Sequence, residues 1–335
     1  MEAGVEMSRP PSAEPDTSRV VAELALRGPG GEPVDLWRTL LSHGVAELPP
    51  MYVDEASKSL EVTLRVRRGR PRMVRVAELR PGMASVVIRG RAPSRAAAQD
   101  LAGAVRHVLR LDEDLSDFYA LAAADPELSW ATGGAGRMSR SPTVFEDVVK
   151  TICTTNCAWS ATERMVGALV EHLGERAAGG PASGARGRAF PSAAAMAEAG
   201  EGFYRDFARA GYRGRYLLDL ARAVAEERLD LEELARAPSE ELSDEEVEAR
   251  LLALPGVGPY AAAHVMMMLG RYSRLILDSW TRPKYLKVSG KRSASDASII
   301  KRFRRYGPWA GLAFWLFVTK DWVETVSKPE DRSPV

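Results

Sequence analysis

The rhythm of apolar and polar residues changes once along the chain, near Arg91. Before it, Val20 to Leu26, Leu60 to Val66, Met73 to Val76 and Ala84 to Ile88 alternate or carry β-branched residues between Gly and Pro breaks, the pattern of sheet strands. Val34 to Leu41 reads as a short helix among them. An antiparallel sheet with one wet, Arg-bearing face is expected. Beyond Arg91, Ala96 to Leu109, Leu115 to Ala123, Phe145 to Leu173, Tyr204 to Ala208, Arg215 to Glu227 and Glu245 to Leu254 place apolar residues three and four apart. That spacing predicts eight to ten helices. Ala177 to Gly184 interrupts them with small residues and Pro, as a flexible surface loop does. The first 18 residues are rich in Pro, Ser and Glu, lack periodicity and read as a disordered tail.

The fold class expected is α+β. A mixed α/β domain with the sheet occupies 19–110 and an all-helical domain 111–325, the whole being long enough for two or three cores. Two cysteines, Cys153 and Cys157, exclude a disulfide-stapled fold and a four-cysteine iron–sulfur or zinc site. They fall four apart on an expected helix and read as reduced thiols. No apolar run reaches the roughly 20 residues of a membrane span, and the start lacks a signal-peptide pattern, so a reducing cytosol is the compartment expected.

Charge first argues against a nucleic-acid partner, because 46 Lys and Arg against 45 Asp and Glu leave a net +1. The average hides segments. From Glu61 to Arg110 twelve Arg face three acids; from Arg282 to Arg305 nine basic residues face one; from Glu226 to Arg250 eleven acids face three Arg. Any one such run is equally well a solvated face.

The stretch Leu254-Pro255-Gly256-Val257-Gly258-Pro259-Tyr260 carries the most specific signal. A helix runs into Pro255, a Gly-x-Gly turn follows, and Pro259 suits a first helical position, which needs no N–H. The hairpin spans 245–270, and the free N–H groups opening its second helix form an anion site able to hold a phosphate. Read alone, the same residues describe an ordinary helix cap and restart. Downstream stands Asp278 in Leu275-Ile276-Leu277-Asp278-Ser279-Trp280, as a helix N-cap or as a reactive carboxylate.

Hairpin and aspartate at this distance resemble the helix-hairpin-helix (HhH-GPD) DNA glycosylase superfamily. Ile152-Cys153-Thr154-Thr155-Asn156, Gly211-Tyr212-Arg213-Gly214-Arg215-Tyr216 and Phe303 to Gly311 are similar, in order, to segments of its 8-oxoguanine DNA glycosylase branch. The Arg-rich sheet resembles the amino-terminal domain of that branch and of 3-methyladenine DNA glycosylase II. The likeness covers about 140–320 and, more weakly, back to about 20.

The resemblance implies base excision repair, in which a damaged base flipped out of duplex DNA is cut from its sugar. Asp278 would stabilise positive charge on the deoxyribose and orient water. Gly256, Val257, Gly258 and Tyr260 would hold a phosphate, with a monovalent cation possible at the turn carbonyls and no other metal or cofactor implied. Asn156 would fill the gap left by the base, while Tyr212 and Arg213 would wedge the other strand. Read without the family, Asn156 is a polar residue at a helix start and Tyr212-Arg213 a turn.

Departures from the family matter as much. Members that also cut the strand carry a lysine where Tyr260 stands, and a phenol forms no Schiff base. A monofunctional enzyme is implied, unless Lys284 or Lys287 substitutes. His264 stands where the 8-oxoguanine enzymes present a cysteine, and Phe314 where they present a base-reading glutamine. A base pocket of Tyr260, His264, Trp280 and Phe314, with Trp159 and Trp315 near, would be largely aromatic and suit a cationic alkylated purine. Phe314 and Trp315 are adjacent in a helix, so at least one belongs to the core; His264 reads equally as a packed core histidine.

The function expected is thus a monofunctional DNA glycosylase for an alkylated purine. An 8-oxoguanine-type glycosylase and a non-catalytic binder of damaged or distorted DNA are the alternatives. A monomer acting on double-stranded DNA is expected, in the cytoplasm on the nucleoid of a bacterium or otherwise in a nucleus.

Overall fold

A computed structural model of the chain describes residues 18–67 and 69–322. The tail expected at 1–18 falls outside them apart from Ser18, as do the last residues of the 111–325 range. Five strands, β1 (Ser18–Ala25), β2 (Met51–Asp54), β3 (Ser59–Leu64), β4 (Arg72–Arg80) and β5 (Met83–Arg89), form one antiparallel sheet in the order β1-β5-β4-β3-β2. Four follow the alternation read from the sequence. β2 is the addition: four residues gain strand geometry from pairing Met51 with Val62 and Asp54 with Ser59. At the β4–β5 turn Arg80 faces Met83 across Pro81-Gly82, with Gly82 at φ 77°. Proline presets one position of such a type II turn and glycine supplies the positive φ of the next.

Period-2 alternation sends Leu60, Val62, Val74, Val76, Val86 and Ile88 to one face, where they bury against Leu101, Val105 and Val108 of the helix Arg95–Val108. The other face carries Glu61, Arg75 and Val87 side by side. Arg186 clamps Glu61 there with two bonds of 2.6 and 2.9 Å. The loop ahead of it, expected to be flexible, is closed by a 2.8 Å bond from Ala177 N–H to Gly187 C=O, and Gly184 N–H reaches Glu171.

Past Arg91, ten helices of eight residues or more follow among the described residues. The continuous pattern from Phe145 to Leu173 resolves into two, Val144–Thr154 and Trp159–Leu173. Thr155 takes an extended conformation and Asn156 a φ of 47°, the left-handed region that asparagine tolerates better than most residues. Cys157 consequently lies beyond the helix rather than on it. Every position of Val144–Thr154 is buried, making it the central post of the helical region.

Sheet and helices are joined by buried ion pairs. Arg137, fully buried, holds Glu32 at 2.6 Å, and Arg110 holds Glu113, which also accepts the Tyr272 hydroxyl at 2.9 Å. Such groups are costly to bury, and losing one partner costs about 3–5 kcal/mol, so they fix how the two layers meet. The acidic stretch is spent in the same way. Glu232 caps the N–H groups of Val144 and Phe145, Asp244 pairs with Arg271, and Glu245 and Glu248 share Arg274.

Candidate active site

The first hairpin helix, Asp244–Leu252, opens on a capping box: Ser243 accepts Glu246 N–H while the Glu246 carboxylate accepts Ser243 N–H at 3.0 Å. Three acids in its first turn favour the positive end of the helix dipole. The second helix, Pro259–Leu269, has Pro259 in its first turn and closes on Gly270 at φ 83°. Between them Gly256, at φ 80°, lies so close to Tyr216 that a β-carbon would come within 2.7 Å of its ring. Glycine is required there twice over, by dihedral and by space. Val257 turns its side chain into the core, so only its backbone is available at the turn, while Gly258 stays exposed with open space around it.

The second helix begins in the wall of a cleft of about 540 Å³. Its lining comes from four segments: Gly256 and Gly258 to Ala261, Thr154 to Asn156, Tyr212 with Tyr216, and Leu277 to Ser279. Segments far apart in sequence thus meet around one opening. Asn156 reaches the Tyr212 hydroxyl at 3.4 Å. Tyr212 is 54% exposed, an unusual position for a large ring, and the Arg213 guanidinium stacks 4.5 Å from its centroid while bonding the Thr155 carbonyl.

Asp278 serves as cap and cleft residue together. Its Oδ1 accepts the N–H groups of Trp280 at 2.9 Å and Thr281 at 2.6 Å, and the Thr281 hydroxyl accepts Asp278 N–H at 2.9 Å. This reciprocal arrangement starts the helix Thr281–Ser289 and fixes the carboxylate against the cleft. An ionised carboxylate accepts about four hydrogen bonds, so acceptor capacity remains beyond these two.

Tyr260 lines the same cleft as Asp278, its hydroxyl 3.4 Å from that of Thr154. Burial first, and then the negative charge of Asp278, push its phenol up to about 12. It is therefore neutral at physiological pH. Lys284 Nζ is committed to Asp321 at 2.9 Å and lies 6.0 Å from the Trp280 centroid, while Lys287 is exposed on the same helix. Lys287, Lys291, Arg292, Lys301 and Arg304 have no ion-pair partner among the described residues, whereas Arg282, Arg302 and Arg305 are paired with acids.

The base pocket read from the sequence is not assembled as expected. Phe314 is a correction: it is fully buried between Tyr285 and Phe303, at centroid distances of 6.3 and 5.3 Å, on the core side of the last described helix, Ala310–Thr319. Trp315, its neighbour, points the other way, toward Trp280 at 6.0 Å and His264 at 6.2 Å. Trp280 is half-buried against Trp315 and Trp322 and does not line the cleft. His264 is 1% exposed, its ring 5.8 Å from that of Tyr260. Trp159 packs against the core of the helical region.

Thr154, Tyr216 and His43 are additions. The first two sit inside motifs already singled out, where only the fold shows which residues turn toward the cleft. His43 had no local signal: it belongs to the segment before β2, and its ring stands 5.3 Å from that of His264. Among the described residues no group of three or more His, Cys, Asp or Glu is placed to hold a metal ion, and no helix is long and apolar enough to cross a membrane.

No family model matches the sequence, and no curated protein matches it. Solved structures do. The 3-methyladenine DNA glycosylase from Archaeoglobus fulgidus superposes with a TM-score of 0.68 at 18% identity, over 90% of this chain and 99% of that one. MBOgg1 in complex with a low-affinity DNA ligand gives 0.68 at 18%, over 93% and 98%. The Clostridium acetobutylicum 8-oxoguanine glycosylase/lyase, bound to duplex DNA with cytosine opposite 8-oxoguanine, gives 0.66 at 18%, over 88% and 94%. The chain has the fold of the helix-hairpin-helix glycosylases: an antiparallel five-stranded sheet followed by a mostly helical region.

Proposed function

We propose that on this fold the chain is a monofunctional DNA N-glycosylase, hydrolysing the bond between deoxyribose and a flipped-out alkylated purine in duplex DNA and leaving an abasic site. One observation carries the reading: a carboxylate, Asp278, is fixed in the wall of a cleft that also holds the hairpin turn, with a neutral phenol where a strand-cutting enzyme needs an amine.

The chemistry follows from the parts. The N–H groups at the start of Pro259–Leu269 hold a phosphate beside the lesion. Tyr212, exposed and stiffened by Arg213, wedges into the opposite strand, and Asn156 enters the space the base vacates. As the glycosidic bond breaks, positive charge grows on the sugar, and the Asp278 carboxylate stabilises it and orients the attacking water. An alkylated purine leaves easily without a strong acid. With Phe314 turned into the core, no side chain at that position reads an oxidised purine, which favours the alkylated class.

Duplexes carrying alkylated or oxidised bases test the proposal. Release of an alkylated purine, strands intact until alkali is added, and no adduct on borohydride reduction are the expected results. Tight binding with no base released from any lesion would make the protein a DNA binder. A borohydride-trapped adduct would overturn monofunctionality.

A further inference from the structure

Behind Tyr260 the structure buries two histidines that the chemistry above does not use. His43 comes from the segment between the short helix Leu36–Leu40 and β2, and His264 from the second hairpin helix; their rings meet edge to face, 5.3 Å apart at 77°. His43 Nδ1 and both nitrogens of His264 have no hydrogen-bond partner. A buried polar group left this way is destabilising, and native structures rarely carry one without a reason. Both rings are neutral, burial holding His43 down at about 4 and His264 at about 3.

The hydrogen-bonding sense of His43 is fixed. Its Nε2 lies 2.6 Å from the Ser139 carbonyl, which only accepts, so Nε2 carries the proton and Nδ1 presents a lone pair. Ser42 and Ser139 lock the segment in place through their hydroxyls at 2.8 Å and Ser139 N–H at 3.0 Å. His264, free to choose its tautomer, offers one acceptor and one donor. Tyr260 connects the pair to the cleft, lining that opening while packing on His264 at 5.8 Å.

We infer that His43 and His264 together determine specificity, reading the edge of the flipped purine through an acceptor-rich pair of neutral imidazoles that favours an exocyclic amino group over a carbonyl. The base reaches them when the Tyr260 ring turns aside. The substrate class is then alkylated adenine before alkylated guanine. This rests on the glycosylase reading, and it adds a residue, His43, from outside the helical region.

The experiment is single-turnover excision of 3-methyladenine and 7-methylguanine, both activated leaving groups that differ at the purine 6-position. Wild type is expected to release 3-methyladenine faster. In His43→Phe and His264→Phe, which keep a ring but remove the nitrogens, that rate is expected to fall about 10- to 100-fold, well beyond the fall on 7-methylguanine. His43→Asn, which keeps an acceptor, should retain more activity than His43→Phe. Binding to a duplex with a tetrahydrofuran abasic analogue should be unchanged; melting temperature should be unchanged or raised in His264→Phe, where only unpaired nitrogens are removed, and lowered in His43→Phe, which also loses the bond to the Ser139 carbonyl. Equal losses on both lesions, no loss on either, or a wild-type preference for 7-methylguanine would overturn the inference while leaving the glycosylase reading intact. Release of neither base by wild type would overturn that reading instead.

Discussion

Asp278→Asn separates the two duties of one side chain. Asparagine keeps an oxygen where Oδ1 accepts Trp280 and Thr281 N–H, at 2.9 and 2.6 Å, so the start of Thr281–Ser289 is preserved and stability should change little. What disappears is the negative charge. Two unit charges about 4 Å apart interact by roughly 4 kcal/mol at an effective dielectric of about 20, and each 1.36 kcal/mol is tenfold in rate, so excision should slow about 10³-fold. Asp278→Ala loses the cap as well, which costs about 1 kcal/mol and, in a protein of this size, about 2 °C of melting temperature. The assay is single-turnover release of alkylated purine, scored by alkali cleavage at the abasic site, beside thermal melts of both variants. Lesion binding by Asp278→Asn should equal or exceed wild type. If that variant retained activity within tenfold of wild type, the carboxylate would not be acting on charge in the transition state and the assignment would fail.

Three further outcomes follow from the same geometry. Tyr260→Lys places an amine in the cleft that Asp278 also lines, so a borohydride-trappable adduct and strand cleavage without alkali should appear where wild type gives neither. Gly256→Ala forces a side chain into φ 80° and to 2.7 Å from Tyr216; a loss of about 2 kcal/mol or more in a denaturant melt is expected, with weaker binding to abasic duplex, while the same change at the open Gly258 should disturb the fold far less. His43, His107 and His264 are all depressed by burial, to about 4, 4 and 3. The unfolded chain therefore binds more protons below pH 6.5, and stability falls as pH drops from there toward 4. Asp147, raised to about 6, opposes this, but it is common to wild type and variant. His264→Phe should therefore show a shallower fall in melting temperature from pH 7 to 5, and an identical slope would contradict the buried, neutral state of that ring.

Much of the fold was legible because its causes are local. Alternation marked β1, β3, β4 and β5, while Pro255, Gly256, Gly258 and Pro259 marked the hairpin through dihedral limits that belong to those residues themselves. β2 was not legible, since four residues acquire strand geometry only by pairing with β3. Nor was the break at Thr155–Asn156, where the apolar spacing continues across a gap that one left-handed residue opens. The charge runs misled in part: much of the acidic stretch goes into caps and ion pairs, and four of the nine basic residues from Arg282 to Arg305, namely Arg282, Lys284, Arg302 and Arg305, are tied to acids.

For the site the division is sharper. By itself the sequence singled out Asp278, the hairpin and the phenol at Tyr260 as candidates, because each is a residue type at a fixed distance from a recognisable turn; the fold brings them to one cleft. Tertiary structure decided that Phe314 faces the core and Trp315 the aromatic cluster, that Thr154 and Tyr216 join the cleft wall, and that His43 meets His264. A helical pattern gives the angle between neighbouring side chains but not which angle points at which neighbour. Contacts between residues more than two hundred positions apart are set by how the sheet docks on the helices, through buried pairs such as Glu32 with Arg137, and no local periodicity carries that information.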